Sequence, residues 1–177
     1  MSISDRKIPN VLITGTPGTG KTTLSELLAT VTGFQHIVVG DLVKQKELHD
    51  GYDEEFDTYI LNEDKLNDEL EDMLVEGGKI VDFHSCEVFP ERFFDIVVLL
   101  QTDNSKLYKR LAARGYSQKK ITENVECEIM QVVMEEVYDS YKEEIIIRLP
   151  SDTVEQMEQN ISVIQEKIES YIQAHSA

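Results

Sequence analysis

The stretch from Gly15 to Thr22 carries the residues best suited to bind an anion. It reads Gly-Thr-Pro-Gly-Thr-Gly-Lys-Thr and fills every fixed position of the phosphate-binding pattern G-x-x-x-x-G-K-[ST]. Its glycines let the backbone come close to a ligand, and the turn's N–H groups and the positive end of the following helix converge on phosphate oxygens. Lys21 is expected to reach the β- and γ-phosphates of a nucleotide, and the Thr22 hydroxyl to bind Mg²⁺. The nucleotide-binding residues predicted in this loop are Gly15, Gly18, Thr19, Gly20, Lys21 and Thr22.

The segments on either side of this loop distinguish it from a glycine-rich turn that merely connects a strand to a helix. Residues 11–14 form a short apolar, β-branched run, which predicts a buried strand. The residues after the loop are apolar at helical spacing, at Leu24, Leu27, Leu28 and Val31. The order strand, turn and helix is the context that the phosphate-binding pattern requires.

A phosphate-binding loop needs a second carboxylate for Mg²⁺, usually at the end of a neighbouring apolar strand. Asp82 is the leading candidate because residues 79–81 run directly into it, with Asp41 and Asp103 as weaker alternatives. His84 follows two residues later, so an extended chain directs both side chains to the same side. We expect His84 to position a water or a phosphate, although a single histidine also fits ordinary packing or a surface position.

Phosphoryl transfer also requires cations on the migrating group. Arg110 and Arg114 are four residues apart at a predicted helix end, and Gly115 would let a flap that carries Arg114 close over ATP. A solvated helix face is the alternative, mainly for Arg110, and Arg92 and Arg148 are further candidates. The N-K-x-D guanine signature of GTPases is absent after the apolar run that ends at residue 100, which favours ATP.

The predicted elements alternate between strand and helix, which indicates one α/β domain over residues 1–177 with a five-stranded parallel sheet wrapped by helices. Residues 50–64 show little periodicity and are expected to form a loop or mobile insertion. Asp41 is expected to be the N-cap of a short helix. Strands are predicted near residues 11–14, 36–39, 79–83, 96–100 and 144–149, and helices from residue 24, over 41–48, 63–76, 104–113 and 117–138, and from 153.

Composition restricts the function classes. The chain has 177 residues, 41% of them hydrophobic, and no apolar run near the ~20 residues of a membrane span. It has no N-terminal apolar signal segment, so we expect an intracellular protein that does not bind membranes. The net charge of −17 disfavours direct binding to RNA or DNA, and it fits either a merely soluble acidic protein or one with a basic protein partner. Cys86 and Cys127 are far apart and are expected to be packing residues rather than zinc ligands or a disulfide.

Six stretches together resemble the adenylate kinase isoenzyme 6 family, which comprises nuclear adenylate kinases that also act as ribosome-assembly ATPases. The similarity extends from about residue 9 to residue 172, and the D-G-Y-D-E-E and F-P-E-R stretches make it specific. The stretches are residues 15–23 (GTPGTGKTT), 39–42 (VGDL), 50–55 (DGYDEE), 81–84 (VDFH), 89–92 (FPER) and 114–116 (RGY).

The resemblance implies an adenylate-kinase-like fold, with an AMP-side segment near residues 38–61 and a short ATP lid near 113–123. It implies transfer of the γ-phosphate of ATP to AMP or related monophosphates, with Mg²⁺, together with ATP hydrolysis. Asp82 and His84 correspond to a family pair implicated in hydrolysis. The ATP-binding residues that it implies are Gly18, Gly20, Lys21, Thr22, Thr23 and Arg114.

On the acceptor side the resemblance implicates Gly40, Asp41 and Lys44. Family members often have an arginine where this chain has Lys44. A lysine provides a point charge rather than the bidentate hydrogen bonds of an arginine, so we expect a lower affinity for the monophosphate. The resemblance also implies a role in small-subunit maturation and 18S rRNA processing, in the nucleus and cytoplasm, with a basic small-subunit ribosomal protein as partner. Two alternatives remain open, namely an ATP-driven assembly switch with little kinase activity and a P-loop kinase for another small metabolite.

Overall fold

The computed structural model describes residues 6–176. Five parallel strands form the central sheet in the order β2-β5-β1-β6-β7, and β3 and β4 form a separate antiparallel hairpin. The predicted α/β fold with a five-stranded parallel sheet is therefore confirmed. The strands are β1 (Val11–Thr14), β2 (Gln35–Val38), β3 (His49–Asp53), β4 (Thr58–Leu61), β5 (Lys79–Asp82), β6 (Ile96–Gln101) and β7 (Ile146–Pro150).

Seven α-helices are found in the described residues, and most of them connect consecutive strands of the sheet. They are α1 (Lys21–Thr32), α2 (Val39–Gln45), α3 (Glu63–Leu74), α4 (Asn104–Ala113), α5 (Gln118–Ile129), α6 (Val132–Ser140) and α7 (Val154–Ala174). Short 3-10 turns cover Cys86–Val88, Glu91–Phe93 and Glu143–Ile145.

The sheet has an apolar core on each face, and β1 contributes to both. Leu12 packs with side chains of α2, α3 and α6 on one face, while Val11 and Ile13 pack with α1 and α7 on the other. All three of these side chains are fully buried. Burial of one such aliphatic side chain stabilises the fold by about 1.5–3 kcal/mol, so the strand that leads into the glycine-rich loop is firmly held.

The segment that we predicted as a loop is the hairpin β3–β4, so that prediction was wrong. Tyr52 and Tyr59 face each other across the two strands, with ring centroids 5.3 Å apart in an edge-to-face arrangement. Aromatic cross-strand pairs of this kind stabilise antiparallel strands. The many acidic residues between them obscured the strand pattern in the sequence.

The single helix predicted over residues 117–138 is in fact two helices, α5 and α6. Gln131 adopts a left-handed conformation with φ of 55°, which ends one helix and begins the next. The expected N-cap Asp41 lies inside the first turn of α2, and Val38 occupies the cap position. Of the four apolar positions at helical spacing on α1, Leu24 and Leu28 are buried, whereas Leu27 and Val31 are exposed.

None of the helices within residues 6–176 combines the length and the apolarity needed to cross a bilayer.

Candidate nucleotide-binding site

The glycine-rich loop joins the end of β1 to the start of α1, at the carboxyl edge of the sheet. Gly20 is the N-cap residue of α1 and has φ of 93°, a conformation that side chains rarely tolerate. A Cβ on Gly18 would lie 2.8 Å from Leu107 and 2.9 Å from Leu111 of α4, so the helix packs directly on the loop. The backbone of the loop is therefore shaped by both glycine conformation and close packing.

Lys21 folds back over this loop. Its Nζ donates a hydrogen bond to the carbonyl oxygen of Thr16 at 3.2 Å. Burial lowers the pKa of Lys21 to about 8, an effect that Asp82 opposes and that the positive charge of Arg114 reinforces. At pH 7 the side chain is still mostly an ammonium ion, and it is poorly solvated. A phosphate oxygen would provide the negative partner that such a group requires.

The structure brings Thr22 and Asp82 together. The Thr22 Oγ1 donates to Asp82 Oδ2 at 2.7 Å, and the carboxylate is almost completely buried. Asp82 lies opposite Ile13 in the register of β5 and β1, which places it beside the loop. His36 Nε2, from β2, also lies 3.3 Å from Asp82 Oδ2. Asp82, at the end of β5, is thus in contact with both the loop and β2.

These residues fit Mg²⁺ in complex with a nucleotide. A hydroxyl and a carboxylate are hard oxygen donors, and Mg²⁺ typically takes one or two such protein ligands together with substrate phosphates and waters. Within residues 6–176 no group of three or more His, Cys, Asp or Glu side chains is arranged as a metal cage. The buried Thr16 Oγ1 in the same loop has no hydrogen-bond partner, so a polar ligand here would satisfy an atom that the protein leaves unpaired.

His84 lies two residues beyond Asp82 and packs against Phe83, with ring centroids 4.5 Å apart. Desolvation by the surrounding cleft is the main cause that lowers the pKa of His84 to about 4, and the charge of Lys21 lowers it further. His84 is nevertheless exposed, so solvent screening weakens the effect. The direction of the shift makes the imidazole neutral at pH 7, so it is a proton acceptor.

The two arginines of α4 have different environments. Arg114 is exposed at the C-terminal end of the helix, where Gly115 (φ 77°) turns the chain towards α5. Arg110 is half-buried and donates to the carbonyl oxygens of Gly18 and Asp152, at 3.3 Å each. The alternative of a solvated helix face for Arg110 is therefore excluded.

Arg92, Arg148 and Asp103 have partners elsewhere. Arg92 pairs with Glu71 of α3, and Arg148 donates to the amide oxygen of Gln101. The Asp103 carboxylate accepts from two backbone N–H groups in the first turn of α4, which makes it the helix cap.

The acceptor-side residues Gly40, Asp41 and Lys44 all lie on α2 and are exposed. This helix begins directly after β2, whose Val38 lies opposite Asp82, so the three residues are at the same edge of the sheet as the loop. In the described part of the chain, the side chains of Asp41 and Lys44 form no hydrogen bond or ion pair with the protein.

Several residues at this site were not found from the sequence. Besides His36, they include Ser151, whose Oγ donates to the carbonyl oxygen of Thr19 at 2.5 Å, and Glu128, whose carboxylate accepts from the Thr102 N–H at 3.3 Å. Burial raises the pKa of Glu128. None of these residues belongs to a motif, and only the proximity created by the fold reveals them.

The loop, Lys21 and the Thr22–Asp82 pair at the carboxyl edge of a parallel sheet define a P-loop kinase. A family model described as an AAA domain matches residues 11–131. Among solved structures, a shikimate kinase from Bacteroides thetaiotaomicron has a TM-score of 0.62 at 16% identity and covers 90% of this chain and 98% of its own. A gluconokinase from Sinorhizobium meliloti has a TM-score of 0.59 at 15% identity, with 96% and 99% covered. At these identities the likeness is one of fold.

Sequence relatives narrow this class. An adenylate kinase isoenzyme 6 homolog from Dictyostelium discoideum is 52% identical over 97% of this chain and 98% of its own length. A homolog of the same description from Schizosaccharomyces pombe is 47% identical over 99% and 100%. The homolog FAP7 from Saccharomyces cerevisiae is 46% identical over 88% and 80%. The chain therefore belongs to the adenylate kinase isoenzyme 6 family.

Proposed function

We propose that this protein is an ATP-dependent nucleoside monophosphate kinase that transfers the γ-phosphate of ATP to AMP and also hydrolyses ATP. The observation that carries the proposal is the loop with its half-buried, charged Lys21 beside the Thr22–Asp82 pair. Membership of a family whose relatives are described as adenylate kinases supports AMP as the acceptor.

Each residue of the loop has a distinct role in this proposal. Bound Mg²⁺–ATP supplies the phosphoryl group and part of the positive charge that the transferred group needs. The loop N–H groups hold the phosphate oxygens, and the Lys21 ammonium neutralises charge that accumulates on the β- and γ-phosphates. Thr22 and Asp82 would hold the metal ion, and Arg114, exposed at the start of the proposed lid, would close over the nucleotide.

The acceptor would bind beside α2. Gly40 gives a backbone that a ligand can approach closely, and the Lys44 ammonium is free to face a monophosphate. Because lysine contributes a point charge without the bidentate geometry of arginine, we expect AMP to bind more weakly than ATP.

For hydrolysis, water takes the place of the acceptor. A neutral His84 can accept a proton or a hydrogen bond from the attacking water at a ring nitrogen, which an imidazolium could not do. Its position two residues after Asp82 puts this acceptor next to the metal ligand.

The kinase assignment is tested by ADP production from ATP, measured alone and with a panel of nucleoside monophosphates. We expect AMP to stimulate ADP production several-fold, with two ADP formed for each AMP consumed. A total lack of stimulation by any monophosphate would contradict the assignment. Small alcohols assayed in parallel test the alternative that the acceptor is another metabolite.

A second function, an ATP-driven switch on a basic small-subunit ribosomal protein, is favoured by the net charge of −17. This charge attracts a basic protein and disfavours direct contact with DNA or free RNA. In this proposal the protein acts in small-subunit maturation and 18S rRNA processing, in the nucleus and cytoplasm.

The switch is tested by adding a stoichiometric basic small-subunit ribosomal protein to the ATPase assay at two salt concentrations. We expect binding that weakens with salt and a changed rate of ATP turnover. If the partner neither binds nor alters turnover, the switch proposal fails while the kinase proposal stands. Imaging of a fluorescent fusion tests the two compartments.

A further inference from the structure

Two carbonyl oxygens of the glycine-rich loop are held by side chains from outside the loop. The carbonyl of Thr19 accepts from Ser151 Oγ at 2.5 Å, and that of Gly18 accepts from Arg110 Nη1 at 3.3 Å. Ser151 lies between β7 and α7, and it is buried. We propose that Ser151 and Arg110 are positioning residues, which orient the peptide units of the loop so that its N–H groups face the phosphates.

The peptide unit has a fixed geometry. In a trans peptide the C=O and the N–H point in opposite directions, and the described residues contain no cis peptide. When Ser151 holds the Thr19 carbonyl on the outer side, the N–H of Gly20 must point to the other side of the same plane. An N–H at the N-terminus of α1 is one of the donors that bind an anion at a helix start.

The hydrogen bond from Ser151 is needed because the residue after Thr19 is a glycine. Gly20 has a positive φ and no Cβ, so rotation of the Thr19–Gly20 peptide meets little steric resistance from the loop itself. A rotated peptide would present a carbonyl oxygen to the phosphates, which is repulsive. The Ser151 hydroxyl lies 3.2 Å from the place where a Gly20 Cβ would be, so it fills the space that the glycine leaves.

The two positioning residues belong to one network. Thr102 Oγ1, at the end of β6, accepts from Arg110 Nη1 at 3.3 Å and donates to the Ser151 carbonyl at 3.0 Å. Arg110 Nη2 also donates to the carbonyl of Asp152. The network therefore fixes α4 and the β7–α7 connection to the outside of the loop.

Arg110 also contributes its charge. In the described residues it forms no ion pair with a carboxylate, and all three of its acceptors are neutral oxygens. The Arg110 guanidinium lies one peptide unit from the N–H groups that are proposed to bind phosphate. The charge of Arg110 adds to the positive electrostatic potential that Lys21 creates at the loop. Because Arg110 is half-buried, water screens its charge less than it would at the surface.

The inference rests on the proposed nucleotide binding and is tested with ATP and Mg²⁺ as the probe. Loss of one buried hydrogen bond predicts that Ser151→Ala binds ATP about three- to tenfold more weakly by calorimetry. Binding of AMP should be unchanged. The amide proton of Gly20, followed by NMR, should shift less on ATP addition than in the parent protein. The matched control is Thr30→Val, which removes an exposed hydroxyl-to-carbonyl hydrogen bond of α1.

The outcomes separate this inference from the proposed function. If the parent protein does not bind ATP, the proposed function itself fails. If the parent binds ATP and Ser151→Ala matches it in affinity and in the Gly20 shift, the positioning role is wrong. If circular dichroism shows that Ser151→Ala is unfolded, Arg110→Gln on α4 is tested in its place. We expect the same loss of ATP affinity and the same reduced shift of the Gly20 amide. Parent-like values of both would overturn the inference.

Discussion

The glycine-rich loop and the hairpin β3–β4, part of the proposed acceptor side, are built in contrasting ways. The loop is held by hydrogen bonds from residues 60, 92 and 132 positions away in the sequence, and these contacts are buried or half-buried. The hairpin β3–β4 exposes nearly half of Tyr52, Phe56 and Ile60. It meets α5, in the proposed lid, through Lys119, which pairs with Glu55 at 3.1 Å in an exposed contact.

This contrast indicates that the loop is rigid before a ligand binds, whereas the hairpin moves more easily. Donors that are fixed before the ligand arrives stabilise developing charge without reorganisation during the reaction, and this suits the phosphates of ATP. A segment with few buried contacts opens at low free-energy cost, which suits a side that must admit and release a second substrate. Substitutions in the loop should therefore have large effects, and those in the hairpin small ones.

The largest expected effect is that of Lys21→Met. The substitution keeps the side-chain stem but removes the ammonium that faces the phosphates, and removal of one such charged donor typically costs about 100- to 1,000-fold in turnover. Steady-state ADP production measures it, with Lys167→Met on the exposed face of α7 as control. Near-normal turnover in the Lys21 variant would mean that the loop is not the site of phosphoryl transfer.

Asp82→Asn is expected to have the next largest effect. It keeps the size of the side chain but removes the charge that binds Mg²⁺, so Mg²⁺-dependent ATP binding should fall about 10- to 100-fold. Binding of ATP without Mg²⁺ should change little, and calorimetry with and without the metal separates the two. Asp72→Asn, on an exposed part of α3, is the matched control. An equal loss with and without Mg²⁺ would argue against a metal role.

ATP affinity measured over a pH series tests the charge of the loop lysine. Only the ammonium form of Lys21 attracts phosphate, and its pKa in the free protein is lowered to about 8. Protonated lysine is lost as the pH rises through this value, so ATP affinity should decrease about eightfold between pH 7.5 and 9. Lys21→Arg, whose guanidinium stays charged, should show a flat profile. An unchanged affinity in the parent protein would contradict the lowered pKa.

The smallest effect is expected for Lys119→Ala in the lid. It removes the exposed pair with Glu55 and the contact of the ammonium with the Phe56 ring, 5.1 Å away. Solvent-screened contacts contribute little, so the KM for AMP should change less than about twofold. The comparison variant is Lys109→Ala, at an exposed position of α4. A tenfold change in the KM for AMP, seen with Lys119→Ala but not with Lys109→Ala, would show that the contact between the hairpin and the proposed lid controls AMP binding.

Much of the fold followed from the sequence because local patterns encode it. The apolar runs of β1 and β6 and the loop that follows β1 predicted a parallel sheet with a phosphate-binding edge. Acidic residues hid the period of two in the hairpin, and a single left-handed residue, Gln131, divided a continuous helical pattern. Both errors concern local conformations that the period of the apolar residues does not encode, namely a short acidic hairpin and one left-handed residue.

For the site, the sequence determined the residues that act through their own chemical type and their spacing in the loop, such as Lys21 and Thr22. The tertiary structure decided which side chains support them, because the strand order β2-β5-β1-β6-β7 brings His36 to Asp82. The turn after β7 likewise brings Ser151 to the loop, across 132 residues. Hydrogen bonds between distant segments leave no periodic trace in a single sequence, so only the folded chain reveals them.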